Sequence, residues 1–186
     1  MSVQIARRHF NITEYYRMAA AGVLSEDDRV ELIEGEIIEM SPIGSRHAAC
    51  VGRLTELLGR LAGDRAIVWV QNPVQINEYS EPLPDVALLK RRNDFYAQGN
   101  PQPADVLLII EVADTSVEYD HEVKIPLYAG ASIPEVWLVN LPKDTIEIYT
   151  QPHDGAYREI RLVKRGESLV AQTIPNLVID ADSILG

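Results

Sequence analysis

The chain has 186 residues, 46% apolar and 24% charged, which is typical of one soluble globular domain spanning residues 1–186. No apolar run approaches the roughly 18 residues of a membrane span, and residues 1–21 lack the apolar stretch of a secretory signal. The formal charge of −11 argues against a protein that coats nucleic acid, although it leaves a nuclease open because the charge near a site matters more.

The cysteine content indicates the redox compartment of the protein. The chain holds one cysteine, Cys50, which cannot form an internal disulfide and falls on the apolar face of a predicted helix. We interpret Cys50 as a small core residue. The absence of disulfides, membrane spans and a secretory signal is typical of the reducing cytoplasm, and we predict a cytoplasmic location.

The first predicted elements are a helix and a β-hairpin. The helix covers about residues 13–21. The hairpin pairs residues 30–33 with residues 36–40 across a two-residue turn at Glu34-Gly35. Glu31 lies inside the first hairpin strand, where we expect it to share a face with another carboxylate.

A longer amphipathic helix follows the hairpin. Ser45 is a suitable N-cap, and apolar residues recur with the helical period up to Ala62, after which Gly63 ends the helix. His47 lies in phase with the apolar face in the first turn, so we expect its side chain to point toward the core. Two interpretations stay open for His47: a packed, hydrogen-bonded residue or a member of a functional site.

Strands dominate the rest of the chain. The run Val106–Ile110 is apolar without a break, which is typical of a strand buried on both faces. Residues 91–104 are polar and rich in proline, glycine and asparagine, which indicates an exposed loop. Further strands are predicted over residues 67–70, 74–76, 85–89, 135–140, 145–150, 157–162 and 169–171. The tail over 174–186 is predicted to be a strand or extended segment followed by a short terminal turn.

One helix interrupts these strands in the middle of the chain. It begins after Thr115 or Ser116, and Pro126 should kink its second half, which leaves Asp120 and Lys124 on regular first turns. A strand-strand-helix-strand order predicts an α/β fold with a mixed central sheet and helices on its faces.

Four charged residues stand where this strand-strand-helix unit would bring them together. Asp85 follows Pro84 and opens one apolar run, and Glu111 closes the next. Asp120 and Lys124 lie four residues apart on the following helix. Carboxylates at neighbouring strand ends suit Mg²⁺ or Mn²⁺, and a lysine stabilises charge on a phosphate. The arrangement therefore indicates a metal-dependent nuclease.

Each signal also has a plainer interpretation. Asp85 can be a strand-entry residue, Glu111 a strand-end carboxylate, and the pair Asp120 and Lys124 a surface ion pair worth a few tenths of a kcal/mol. Basic patches, including residues 90–92 directly after the Asp85 strand, either contact a nucleic-acid backbone or are simply solvated.

Taken together, these residues resemble the Uma-type family of predicted restriction endonucleases, in the PD-(D/E)XK nuclease superfamily. The resemblance covers about residues 10–184. It rests on motifs spread in order along the chain: residues 29–36, His47, Pro84-Asp85, Glu111-Val112-Ala113, Asp120, Lys124, Tyr128 and residues 133–139.

The resemblance implies a restriction-endonuclease-like core, with an N-terminal helix and hairpin, in which Asp85 and Glu111 bind Mg²⁺, or Mn²⁺ in its place. The Val112 carbonyl and waters would complete the coordination. The superfamily usually places its lysine two residues after the second acid, and Ala113 stands there in this chain. The resemblance therefore makes Lys124 the displaced catalytic lysine.

Three further residues receive supporting roles from the same resemblance. Asp120 would fix the Lys124 side chain through an i,i+4 pair. Glu31 would supply an additional acid, and His47 would act as an outer ligand or a general acid-base group.

Three functions stay open on the sequence. The first is a metal-dependent endonuclease with DNA as its substrate, the second a catalytically weak binding or regulatory protein, and the third a hydrolase of small phosphate compounds. We also expect a homodimer, since double-strand cleavage most simply uses two sites. Apolar residues of the N-terminal segment, such as Phe10 and Tyr16, either meet a second copy or cover the chain's own sheet.

Overall fold

The computed structural model of the protein describes residues 7–25 and 27–186. Helix α1 (Ile12–Ala20) is followed by the hairpin of β1 (Val30–Ile33) and β2 (Glu36–Glu39). Glu34 and Gly35 have φ angles of 50° and 81°, the left-handed values that a two-residue hairpin turn needs. A Cβ atom at Gly35 would lie 2.6 Å from the Cβ of His9, so only glycine fits there. The predicted helix, hairpin and turn are confirmed.

A six-stranded mixed sheet forms the centre of the molecule. All neighbouring strands in it are antiparallel except β5 and β6, which are parallel. In spatial order the strands are β3 (Ile67–Val70), β4 (Val86–Leu89), β5 (Val106–Ala113), β6 (Glu135–Asn140), β7 (Thr145–His153) and β8 (Ala156–Lys164).

Helices cover both faces of this sheet. On one face lie α2 (Ser45–Ala62) and, at the end of the chain, α5 (Ala181–Leu185), which pack with Leu88, Ile110 and Trp137. On the other face lies a helical segment over residues 117–130, whose Tyr128 packs with Ile109 and Leu138. Strand β5 is thus buried on both faces, as its apolar run predicts.

Two further strands, β9 (Ser168–Val170) and β10 (Val178–Asp180), form a small separate sheet before α5. Within the described residues, the structure contains no helix long and apolar enough to cross a membrane. Cys50 is fully buried in α2, as expected.

Two local predictions are wrong. Residues 74–76 do not form a strand, because their N–H groups bond to loop carbonyls: Val74 to Pro82 O and Ile76 to Ser80 O. Ser45 is the first residue of α2, and its N-cap is Gly44, with no side-chain cap.

Candidate functional site

A cleft of about 400 Å³ opens where the hairpin, the start of α2, the end of β5 and the helical segment 117–130 meet. It contains every residue to which the sequence assigned a site role. These are Glu31, His47, Asp85, Glu111, Val112, Asp120 and Lys124. They come from five separate parts of the chain, and the fold alone brings them together.

Asp85 is held in a fixed orientation by three donors. It stands directly before β4, and its Oδ2 accepts hydrogen bonds from His47 Nε2 at 3.0 Å and from the Val112 N–H at 2.9 Å. Its Oδ1 accepts from Gln71 Nε2 at 3.2 Å. Burial tends to raise the pKa of Asp85, but the bonds from His47, Val112 and Gln71 hold it below its usual range.

Gln71 is a site residue that the sequence did not reveal. It has φ +49°, a left-handed conformation uncommon for a residue with a side chain, and its N–H donates to the Asp85 carbonyl at 3.1 Å. Its backbone and side chain therefore both contact Asp85. Composition and periodicity do not mark such a residue, because what distinguishes Gln71 is its backbone φ angle, which the sequence does not show.

Glu111 lies beside Asp85, because β4 and β5 are antiparallel and Val86 pairs with Ile110. Its Oε1 accepts a hydrogen bond of 2.6 Å from the Tyr128 hydroxyl. Burial raises the pKa of Glu111 to about 8, even though the nearby Lys124 ammonium lowers it.

Lys124 is enclosed by carboxylates, with 6% of its side chain exposed. Its Nζ lies 3.3 Å from Glu31 Oε2 and 3.4 Å from Glu111 Oε1. Burial works against the charged form, but the carboxylates of Glu111 and Glu31 hold the pKa of Lys124 above its usual value. Lys124 therefore carries a positive charge at the bottom of the cleft.

The predicted pairing of Asp120 with Lys124 is wrong. Asp120 accepts a hydrogen bond of 2.8 Å from the Ser116 hydroxyl, and the ion-pair partners of Lys124 are on β1 and β5. Asp120 still lines the cleft. Burial raises its pKa, which the nearby Lys124 charge opposes.

The turns that carry Asp120 and Lys124 also differ from the prediction of a regular α-helix. Helix α3 (Val117–Tyr119) passes into a π-helical turn, Asp120–Lys124, and then into α4 (Ile125–Gly130). The N–H of Ile125 bonds to the Asp120 carbonyl five residues earlier. Pro126 has no N–H for the carbonyl four residues back, so the wider turn before it relieves the mismatch.

Glu31 brings the hairpin into the site. Its Oε2 accepts the Leu83 N–H at 3.2 Å, and its Oε1 lies 3.5 Å from the Tyr119 hydroxyl. With 2% exposure, Glu31 is as buried as Glu111. The hairpin is thus part of the wall around Lys124.

The donor set of the cleft suits a divalent cation. Six carboxylates line the cleft (Glu31, Glu39, Asp85, Glu111, Asp114 and Asp120), and its basic groups are Lys124, Arg29 and the His47 ring. Within residues 7–25 and 27–186, no three His, Cys, Asp or Glu side chains surround a common point. Mg²⁺ commonly takes only one or two carboxylates and keeps several waters, and Asp85 and Glu111 are the two acids that could hold it.

The basic patches lie away from this cleft. Lys90, Arg91 and Arg92 follow the far end of β4, one strand length from Asp85. Arg92 bonds to Asp94, with Nη2 at 2.6 Å from Oδ2. Arg165 pairs with Asp144 and Asp182, each at 3.2 Å.

Comparison with known proteins identifies the family. A sequence model of the Uma2 family, described as "Putative restriction endonuclease", matches residues 12–182. The chain belongs to the Uma2 family. This confirms the resemblance found in the sequence. No curated protein matches the chain significantly.

A solved structure shares the Uma2 chain's fold. It is a protein from Anabaena variabilis ATCC 29413, described as "a putative nuclease belonging to DUF820". The two match with a TM-score of 0.72 over 95% of this chain and 97% of that chain, at 14% identity. This likeness confirms the predicted α/β fold with a mixed central sheet. Family and fold together support a nuclease-type function.

Proposed function

We propose that this Uma2 protein is a metal-dependent endonuclease that hydrolyses DNA phosphodiester bonds in the cleft. The observation that carries the proposal is the contact of one buried lysine with two buried carboxylates, beside an oriented aspartate. A buried charge cluster of this kind costs stability, so its presence in an open cleft favours a functional role.

Asp85 and Glu111 would hold the cation, with the Val112 carbonyl and waters as further ligands. Restriction-endonuclease-like families generally use divalent metals, and the carboxylate oxygens favour Mg²⁺ or Mn²⁺. When bound, such an ion lowers the pKa of a coordinated water and offsets negative charge on the phosphate. His47 and Gln71 would keep Asp85 in place for this task.

Lys124 would act on the phosphate. Its ammonium group is fixed by Glu31 and Glu111, so it meets negative charge that develops in the transition state without first having to be ordered. Glu31, which the sequence marked as an additional acid, would position Lys124. Asp120 would contribute negative charge rather than a direct contact.

DNA is the proposed substrate although the chain is acidic. The carboxylates of the cleft repel a phosphate until a cation offsets them, so binding and cleavage should both require the metal. A second candidate, hydrolysis of small phosphate compounds, is favoured by the ion pairs of Arg92 and Arg165, which reduce the basic surface available to a long duplex.

The test is incubation with supercoiled plasmid, single-stranded DNA and a small phosphodiester, each with Mg²⁺, Mn²⁺ or Ca²⁺. We expect cleavage of DNA with Mg²⁺ or Mn²⁺, and loss of cleavage in Asp85→Asn and Glu111→Gln. Glu118→Gln is the matched control, because Glu118 is an exposed acid on α3. Cleavage of the small ester alone would favour the second candidate, and no reaction on any substrate would contradict both.

A further inference from the structure

Strand β8 forms one edge of the central sheet. In the described part of the chain, the backbone groups of residues 157–163 have no hydrogen bonds beyond the ladder with β7. Seven residues of open edge, within the nine-residue strand, are long for a protein that stays monomeric, because such an edge is ready to pair with another strand.

Apolar side chains mark the same strand. Ile160 is 62% exposed and Leu162 is 50% exposed, and both lie on the face of β8 beyond the helical segment 117–130. Burying two large aliphatic side chains is favourable by roughly 1.5–3 kcal/mol each. Exposed apolar residues along an unpaired edge are typical of a strand that meets a partner.

The charge pattern of β8 is complementary to itself. If two copies of the strand run antiparallel with Ile160 opposite Ile160, then Glu159 of each copy lies opposite Arg161 of the other. In the described residues neither side chain takes part in an ion pair. Arg161 uses Nη2 to reach the Ser168 carbonyl, which leaves the rest of its guanidinium group for a partner.

We propose that the protein forms a homodimer in which the β8 strands of two copies pair antiparallel about Ile160. The two sheets would join into one continuous sheet of twelve strands, because each copy contributes six. Two charged pairs, Glu159 with Arg161, flank the central isoleucines and set the register.

This interface differs from the one expected from the N-terminal segment. The hydroxyls of Tyr15 and Tyr16 donate to Val30 O and to Glu81 Oε1 of the same chain, so α1 packs on its own hairpin and loop. Antiparallel pairing of β8 also points the two clefts toward opposite ends of the joined sheet, about 34 Å apart across the strands. Such a dimer does not bring two sites to one point of a duplex.

Charge reversal tests the register. Sedimentation at micromolar concentration should give a mass near twice 20.8 kDa for the native protein. Glu159→Arg and Arg161→Glu should each shift the protein toward monomer by at least tenfold in the dissociation constant, since each places like charges opposite each other. The double variant should restore the dimer. A native monomer, or a dimer unaffected by the single changes, overturns the proposal.

A cysteine scan gives an independent check. Only a residue on the two-fold axis lies opposite itself, so Ile160→Cys should form a disulfide between copies under mild oxidation. Leu162→Cys is the matched control, because residue 162 would lie opposite Arg158 of the other copy. Cys50 is buried and should not react. Equal crosslinking at both positions, or none at residue 160, contradicts the register. Neither experiment depends on nuclease activity.

Discussion

Lys124 is a charged side chain that has almost no contact with solvent. Its ammonium group offsets the charge of Glu31 and lies against Glu111, so its removal leaves a buried carboxylate without a counter-charge. Breaking a buried ion pair by removing one partner typically costs about 3–5 kcal/mol. The lysine therefore supports the fold of the cleft as well as its proposed chemistry.

We predict that Lys124→Met lowers the free energy of unfolding by about 3 kcal/mol in EDTA. Mn²⁺ should recover part of this loss, because a cation restores positive charge beside the carboxylates. DNA cleavage should fall by about two orders of magnitude or more, since a charge stabiliser is lost. Urea denaturation and plasmid cleavage measure the two effects.

Lys143→Met provides the control for this variant, because Lys143 is exposed in the turn between β6 and β7. It should match the native protein in both assays. If Lys124→Met is as stable as the native protein and cuts DNA at the native rate, Lys124 has neither role.

The raised pKa of Glu111 predicts that the stability of the metal-free protein depends on pH. Burial raises its pKa from 4.5 to about 8, so the folded state holds a proton that the unfolded state releases. The stability that this protonation contributes is present in full below pH 4.5 and is lost as the pH rises to about 8. Urea midpoints measured in EDTA should fall across this window.

In Glu111→Gln the fall should be shallower, because the amide does not titrate. Glu118→Gln should keep the native slope, since Glu118 is exposed on α3. Equal slopes in the native protein and in Glu111→Gln would show that the pKa of Glu111 is not raised.

Single residues of the site were predictable to different degrees. Asp85 and Glu111 stand beside apolar runs, so strand periodicity was enough to place them near each other. The contact of Glu31 with Lys124 joins residues 93 positions apart in the numbering and was not predicted, since the resemblance made Glu31 only an additional acid. Gln71 had no sequence signal, because its left-handed backbone results from tertiary contacts.

At the scale of elements, the π-helical turn Asp120–Lys124 is attached to the central sheet by two side chains. Glu111, Leu138 and Glu147 form one row across β5, β6 and β7. Lys124 contacts Glu111 at one end of the row, and His121 Nε2 lies 2.8 Å from Glu147 Oε2 at the other. The turn thus spans Leu138 and is fixed to the sheet at two points.

We predict that His121 and Glu147 are energetically coupled. His121→Gln and Glu147→Gln should each reduce the free energy of unfolding by about 1 kcal/mol, and the double variant should lose clearly less than the sum. Urea denaturation of the four proteins measures the coupling. Glu122→Gln, an exposed neighbour on the same turn, should be additive with Glu147→Gln. Additivity of His121 and Glu147 would mean that the contact does not anchor the turn.

Elements with a clear period or a turn motif were predicted, whereas the π-helical turn and the irregular segment 74–76 were not. The buried run Val106–Ile110, the stripe of α2 and the Glu34-Gly35 turn all specify their structure locally. The π-helical turn Asp120–Lys124 could not be predicted, because it depends on how the helix accommodates Pro126. Residues 74–76 have the apolar pattern of a strand, but their N–H groups bond to loop carbonyls.

At the scale of the whole molecule, the fold decides which residues meet. The alternation of strands and helix predicts an α/β fold with a mixed sheet, but the strand order requires the pairings themselves. Both faces of the sheet are covered, and the cleft forms where the hairpin closes over the end of β5. The prediction that residues 1–186 form one domain remains a proposal, and a single cooperative unfolding transition would support it.

The central claim is that Asp85 and Glu111 share one divalent cation in this cleft, and calorimetric titration with Mn²⁺ tests it most directly. We predict one bound ion per chain for the native protein and for the Glu118→Gln control. Binding should be lost or at least tenfold weaker in Asp85→Asn and in Glu111→Gln, provided that circular dichroism shows both variants folded. Native-like Mn²⁺ binding in both folded variants would contradict the account.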